Sequence, residues 1–291
     1  MAETSLSWGD ATGVESSLIE YVVSQRMGLV EAAADEFNAI VGNGQNAYGE
    51  SGLMIDQRLE DEVLKLLAGH GSVDVVLSEE SGPIELGQGE LTVVLDPLDG
   101  TRNYCMGFTH FAMAMAVLDD RHQVKAGLVV NLATGTWFAA ARGGGARRNG
   151  LPITCEGPTS LADVDAIFVG LSHDPGELAA LAALAERLHS FRAMGCSALD
   201  VCCLAMGHSA LFVDLSNTLK PVDVLASALI ASEAGALIQT LDGVPLVEAG
   251  VHGPDLVEAV YGQRLCAIGA ANAAVHHEAV SVMDAARLAR S

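Results

Sequence analysis

Apolar positions along this chain fall into short runs, each closed by acids, glycine or proline. Continuous runs of Val, Leu, Ile and Ala predict strands at 73–78, 91–95, 111–118, 124–131 and 135–141, the last pair reading as a hairpin. Helical spacing predicts a leading helix over 14–38 and a second over 56–67. Beyond residue 151, predicted strands at 165–170, 209–213, 236–240 and 264–268 are interleaved with predicted helices at 176–190, 197–206, 223–234 and 272–289. Periodicity alone gives an α/β or α+β chain. The Pro/Gly-containing stretch Glu156-Gly157-Pro158-Thr159-Ser160 is the best junction, dividing an N-terminal α+β part (1–155) from a C-terminal α/β part (156–291).

Carboxylates gather where these runs stop. The run Leu91-Thr92-Val93-Val94-Leu95 leads into Asp96-Pro97-Leu98-Asp99-Gly100-Thr101. Pro97 removes a backbone donor and is expected to end the strand. Gly100 permits a tight turn, and Thr101 offers a hydroxyl at a helix start. Two acids so close repel unless they are solvated, protonated or bridged by cations. A hard divalent cation favours such oxygen ligands, and a helix start beside it favours an anion such as phosphate. Asp-Pro and Asp-Gly are also ordinary turn dipeptides, so the hexapeptide alone suits a surface turn as well. Two further stretches repeat the pattern. Val73 to Leu77 runs into Ser78-Glu79-Glu80-Ser81-Gly82, and Asp223 opens an apolar helical stretch ending at Glu233-Ala234-Gly235. Acids at three element ends can meet in one crevice at a sheet edge, the usual place for an α/β site.

On these residues the chain resembles the inositol monophosphatase family of metal-dependent phosphatases. Glu79-Glu80-Ser81, then Asp96 to Thr101, then Asp223 with Ala226 and Glu233-Ala234-Gly235 follow the family's order of motifs, and the resemblance spans roughly 12–285. Asn131-Leu132-Ala133-Thr134-Gly135 and Gly144, Ala146, Asn149 and Gly150 fall where the family has a hairpin and its following turn. The branch it resembles most acts on both fructose 1,6-bisphosphate and inositol phosphates, because Phe212-Val213-Asp214-Leu215 precedes Lys220-Pro221-Val222-Asp223.

The resemblance implies a layered αβαβα sandwich of the inositol monophosphatase/fructose-1,6-bisphosphatase type, with the active site between its halves. It implies two or three Mg²⁺ ions, with Asp96 bridging two of them. Glu79 and the Leu98 carbonyl would complete one site, Asp99 and Asp223 the other, and a weaker ion near Glu79 would position water. Thr101 backed by Asp56 would orient and deprotonate that water. Backbone amides of Gly100 and Thr101 would hold phosphate oxygens. Gly195, with the amides of Cys196 and Ser197, would meet sugar or inositol hydroxyls. Asp214 would accept from polyol hydroxyls, and Lys220 or Arg102 would receive a second phosphate. Each has a plainer reading: Asp56 as a polar helix residue, Asp223 as a carboxylate complementing a helix dipole, Asp214 as a surface acid. Glu80 and Glu233 read as structural partners rather than ligands.

This chain also departs from the family pattern. Val222 stands where many inositol-preferring relatives have Trp, residues 42–55 contain neither Lys nor Arg, and Leu53 replaces a threonine often found before Asp56. Ala236 replaces the final glycine. These differences leave the metal acids intact and bear on substrate preference and on the outer ion.

Composition changes the picture in three places. With 50% apolar residues but 4% aromatics, Ala, Val and Leu must fill a large core. No unbroken apolar run approaches the ~18 residues of a membrane span, and Met1 to Asp10 carries acids without a basic region, so a cytoplasmic protein is expected. A net charge of −22 opposes binding to nucleic acid or anionic membranes. It equally opposes a phosphate ester unless bound cations reverse the local field. Acid excess with only three lysines is also compatible with salt adaptation; unchanged stability and activity from low to molar KCl would count against that. The six cysteines lack a CxxC pair and read as reduced core thiols, and the scattered histidines form no ligand set. A small phosphate ester is therefore the expected partner, with a homodimer as the family's implication. The alternatives are a 3′-nucleotide phosphatase of the same family, or a catalytically weak regulator that binds metal and polyol phosphate.

Overall fold

Alternation along the strands decides how the layers stack. In the computed structural model, which describes residues 13–35, 42–87, 89–169, 174–249, 251 and 255–289, two main sheets form. A small hairpin, β1 (Gly42–Gln45) and β2 (Ser51–Leu53), precedes them. The first sheet contains β3 (Val73–Ser78), β4 (Gly82–Glu85), β5 (Leu91–Asp99), β6 (Ala112–Leu118), β7 (Val124–Asn131), β8 (Trp137–Ala141), β9 (Ala146–Arg148) and β10 (Leu151–Ile153). Its order is β10-β9-β8-β7-β6-β5-β3-β4, antiparallel except where β3 runs parallel to β5. The second sheet takes β11 (Asp165–Val169), β12 (Ser190–Arg192), β13 (Leu211–Leu219), β14 (Leu237–Thr240) and β15 (Leu265–Ala270) in the order β12-β11-β13-β15-β14.

The helices are α1 (Val14–Asp35), α2 (Met54–His70), α3 (Thr101–Met106), α4 (Pro175–Ala185), α5 (Ser197–Ala205), α6 (Pro221–Glu233), α7 (Leu246–Ala249), α8 (Leu256–Tyr261) and α9 (Ala273–Leu288). On one face of the first sheet, Val93, Met113, Met115 and Leu128 pack with Leu18 and Ile19 of α1 and Ile55 and Leu59 of α2. The opposite face presents Val94, Ala112, Ala114, Ala116 and Val129 to α5 and α6, whose far sides meet Phe212 and Ile268 of the second sheet. Helices α4 and α9 cover that sheet's outer face through Ala180, Leu184, Val275 and Ala279. The result is the αβαβα sandwich.

Small residues set the spacing of the central layer. The alanines of β6 face α6, while the methionines of the same strand face α1 and α2. At Gly127 of β7, an added Cβ would lie 2.7 Å from the Ala226 carbonyl oxygen, so α6 rests almost directly on backbone. Helix α6 is buried on every side, as an apolar helix between two sheets must be. Packing against it fixes the position of its N-terminus, where Asp223 sits.

Most predicted elements form within a few residues of their expected ends, and the exceptions have local causes. Strand β5 continues through Pro97 to Asp99, where the sequence predicts a stop at 95. A register shift between Asp96 and Asp99, opposite Ala114 and Ala112, absorbs the missing donor. Helix α4 ends at Ala185 rather than 190, and a turn over 186–189 leads the chain into β12, parallel to β11. Strand β13 runs on to Leu219, past the predicted end at 213. The 42–55 segment forms the β1–β2 hairpin and the start of α2. Residues 36–38 of the predicted first helix, residue 170 of a predicted strand, and Met1 to Asp10 lie outside the described residues. The chain crosses from the first sheet to the second between Ile153 and Asp165, through the Glu156–Ser160 stretch. Among the described residues, no helix is long and apolar enough to cross a membrane.

Candidate active site

Four element ends meet in one cavity of about 960 Å³. Glu79 follows β3, Asp96 to Thr101 span the end of β5 and the start of α3, Asp56 lies in the first turn of α2, and Asp223 in the first turn of α6. All of them except Pro97 line the cavity. One carboxylate oxygen each from Glu79, Asp96 and Asp223 lies within 4.8 Å of the others.

Local donors hold these side chains. Asp56 Oδ2 accepts from the Leu53 amide at 2.9 Å, and Asp223 Oδ2 accepts from the Lys220 amide at 3.1 Å. Each is the third residue of its helix and satisfies a backbone donor just before the first turn. Asp96 Oδ1 accepts from the Leu98 amide at 2.9 Å. Asp99 Oδ2 accepts from the Ala198 amide at 2.7 Å and from Cys196 Sγ at 3.2 Å. Fixing one oxygen of a carboxylate this way orients the other without neutralising it.

The Lys220 ammonium, paired with Glu79, compensates these charges only in part. Burial first, then repulsion from Glu79 and Asp99, holds Asp96 and Asp223 well above the ordinary carboxylate range. Burial raises Asp99 to about 7, against the lowering effect of the Ala198 and Cys196 contacts. Asp56 is likewise pushed up to about 7, mainly by burial, with Glu79 adding to it. Glu80 rises to about 8, through burial and then Asp56 and Glu79. A close group of acids with raised affinities for protons could hold a cation. The donors at its centre are carboxylate oxygens rather than imidazole or thiolate, a set that suits a hard divalent cation.

Thr101 and Leu98 sit beside this group. Thr101 Oγ1 donates to the Leu98 carbonyl at 2.9 Å and lies 3.4 Å from Asp56 Oδ1. Gly100 has φ of 86°, and a Cβ there would lie 3.0 Å from the His110 carbonyl oxygen and 3.1 Å from Cys196 Cβ. Only glycine meets both demands.

The remaining sequence-predicted residues divide. Gly195 lines the cavity, but among the described residues of its wall Cys196, Ser197 and Asp214 do not appear. Cys196 is buried with its thiol on Asp99, and Ser197 opens α5. Asp214 is buried inside β13, where Oδ1 accepts from the Ser216 amide at 2.7 Å and from its hydroxyl at 2.6 Å; it is not a surface acid. Lys220 does reach the cavity, yet its ammonium donates to Glu79 Oε1 at 2.8 Å and to Glu50 Oε2 at 2.6 Å. Burial works against that charge, but Glu79 and Asp223 outweigh it and keep Lys220 protonated. Arg102 lines the wall as the other basic side chain and is exposed. Glu233 accepts from the Gly143 and Gly145 amides, 2.8 and 3.0 Å away, and so ties α6 to the turn after β8.

Several supporting residues carried no signal in the sequence. Asn46, Tyr48 and Glu50 come from the β1–β2 hairpin, whose polar residues have no periodicity. Glu60 accepts from the amide and hydroxyl of Ser81, holding the turn after Glu79. Asn103 Nδ2 donates to the carbonyls of His110 and Met194, both at 2.7 Å, joining α3 to the Gly195 loop. Asp200 pairs with His110 at 2.8 Å and is fully buried. An acid within the apolar stretch Ala198-Leu199-Asp200-Val201-Cys202 was the one available clue.

Comparison with known proteins agrees with this geometry. A profile described as the inositol monophosphatase family matches residues 19–284. The inositol-1-monophosphatase of Aeropyrum pernix is 30% identical over 70% of this chain and 77% of its own length. The Nus factor SuhB of Vibrio cholerae is 32% identical over 65% of this chain and 71% of its own. Among solved structures, an inositol monophosphatase from Thermotoga maritima superposes with a TM-score of 0.73 at 21% identity, covering 94% of this chain and 100% of that one.

Proposed function

Since the chain belongs to the inositol monophosphatase family, we propose that it is a Mg²⁺-dependent phosphomonoesterase acting on a small sugar or inositol phosphate. The observation that carries this is the convergence of Glu79, Asp96 and Asp223, with Asp99, Asp56 and Thr101 on the same cavity wall.

Glu79, Asp96, Asp99, Asp223 and the Leu98 carbonyl would hold the divalent ions, which supply Lewis-acid activation of water and neutralise charge at the leaving oxygen. Thr101 and Asp56 handle the proton. The Thr101 hydroxyl orients a water, and Asp56 accepts the proton released as that water's oxygen bonds to phosphorus. A general base poised near neutrality suits that task. The ester P–O bond breaks, and the departing alkoxide takes a proton from solvent. Amides of Gly100 and Thr101 face the transferred group and hold its oxygens.

For the substrate's remainder, the wall offers Gly195 backbone and the Arg102 guanidinium, because Lys220 is already engaged by two acids. That favours a polyol carrying one phosphate, or a second phosphate reached by Arg102 alone. Names among the relatives include both inositol-1-monophosphatase and the fructose-1,6-bisphosphatase/inositol-1-monophosphatase of Methanocaldococcus jannaschii, 30% identical over 69% of this chain. Phosphate release from inositol 1-phosphate, fructose 1,6-bisphosphate and a 3′-phosphoadenosine nucleotide, with and without Mg²⁺, tests the proposal. Mg²⁺-dependent turnover of one of the first two is expected. Turnover of the nucleotide alone would move the assignment to the nucleotidase branch, and none at all would leave a binding protein.

A further inference from the structure

Lys220 is placed unlike an ordinary substrate-binding lysine. It is 8% exposed, and three groups enclose its ammonium. Glu79 Oε1 and Glu50 Oε2 accept from Nζ, and the Tyr48 ring lies 4.8 Å from it, centroid to nitrogen. Tyr48 is itself pinned, its hydroxyl donating to the Val260 carbonyl at 3.0 Å and its ring stacked under Arg264 at 4.6 Å. Asn46 Nδ2 adds a second donor to Glu79 Oε1 at 3.3 Å. The β1–β2 hairpin thus supplies an acid, an amide and a ring face but no basic residue. The cation at this edge of the cavity comes instead from the residue before α6.

We propose that the Lys220 ammonium is a built-in cation of the metal centre, occupying the outer coordination place at Glu79 and restricting the centre to two divalent ions. The ammonium and the Asn46 amide together take both lone pairs of Glu79 Oε1, and the ammonium's charge repels a metal from that oxygen. Glu79 would then have only Oε2 to offer to ions held with Asp96 and Asp223. Glu50 then serves the ammonium, and without Lys220 it would stand beside Glu79 Oε1 as part of an oxygen-lined vacancy fit for a hard cation. This inference rests on the metal-dependent reading above, as a refinement of its ion count.

Ion counting tests it without turnover. Metal-free wild type, Lys220→Met, Lys220→Gln and Lys220→Arg would be titrated with Mn²⁺ in the absence of substrate, following free Mn²⁺ by electron paramagnetic resonance. Circular dichroism would confirm that each variant is folded, and the two neutral variants guard against loss of one. The expected result is two bound ions for wild type, one additional Mn²⁺ equivalent for Lys220→Met and Lys220→Gln, and a return to two for Lys220→Arg. Three ions on wild type, or an unchanged or lower count in folded neutral variants, would overturn the role of Lys220. Wild type binding no ion would instead overturn the phosphatase reading itself.

Discussion

Asp99 shows how a single side chain can be held for a job it cannot do alone. Its Oδ2 is satisfied by the Ala198 amide and the Cys196 thiol, yet the group lies half-buried among other acids and rises to about 7. In Asp99→Asn the amide oxygen can keep the Ala198 contact while the charge disappears. Turnover should fall at least ~100-fold, because a metal ligand supplies several kcal/mol of charge stabilisation. The melting midpoint of the metal-free variant should stay level or rise. Near-normal activity would remove Asp99 from the metal site. Asp56→Asn separates a different role. It should lower kcat by ~10²–10⁴, the usual range for a lost general base, while leaving KM and Mn²⁺ binding close to wild type. Loss of metal binding in that variant would show Asp56 to be a ligand. Glu79, Asp96 and Asp99 were legible in the sequence because they follow an apolar run that stops, and Asp223 because it opens one. The resemblance alone offers the backbone amides of Cys196 and Ser197 and the carboxylate of Asp214; in the structure the Cys196 thiol lies on Asp99, Ser197 opens α5, and Asp214 brackets Ser216. Motif order gives a residue's place in the chain but not the direction of its side chain.

Elements position these residues, and α6 places two of them. Its N-terminus carries Lys220 and Asp223, and its middle rests on β7 at Gly127. Gly127→Ala would set a methyl 2.7 Å from the Ala226 carbonyl oxygen, with backbone rather than a flexible side chain in the way. Stability should drop by ~1–3 kcal/mol, the range for overpacking a tight core. Displacement of α6 should also weaken Mn²⁺ binding, although Gly127 is on another strand from every ligand. Unaltered Mn²⁺ affinity would mean that α6 is positioned by other contacts. The long elements were legible from periodicity. The errors came where tertiary pairing overrode local signals: Pro97 sits inside β5 because a bulge accommodates it, and 190–192 becomes β12 because β11 offers a parallel edge. Short pieces such as β9, β10, α7 and α8 hold too few residues to show a period.

For the whole molecule, the acids at the cavity set how stability responds to pH. Asp56 and Asp99 titrate near 7 and Glu80 near 8 in the folded, metal-free protein, against about 4 for ordinary carboxylates. Between those values the folded state binds more protons than the unfolded chain. Stability contributed by these groups is therefore present below about pH 4 and is lost as pH rises through 7 to 8. Metal-free protein should melt at a lower temperature at pH 8 than at pH 5, and saturating Mg²⁺ should raise the midpoint far more at pH 8 than at pH 5. Thermal scans at the two values with EDTA or Mg²⁺ would check this. A metal-free midpoint that climbs over the same interval would mean that these carboxylates ionise freely. Cations held among the cavity acids would let a chain of net charge −22 receive a phosphate ester at that place.

Anomalous diffraction from crystals grown with Mn²⁺ addresses the cage of acids most directly. Two manganese peaks should lie among the carboxylate oxygens of Glu79, Asp96, Asp99 and Asp223, with the Leu98 carbonyl within coordination distance of one, about 2.0–2.3 Å. Crystals with saturating Mn²⁺ and no peak at these oxygens would contradict the account.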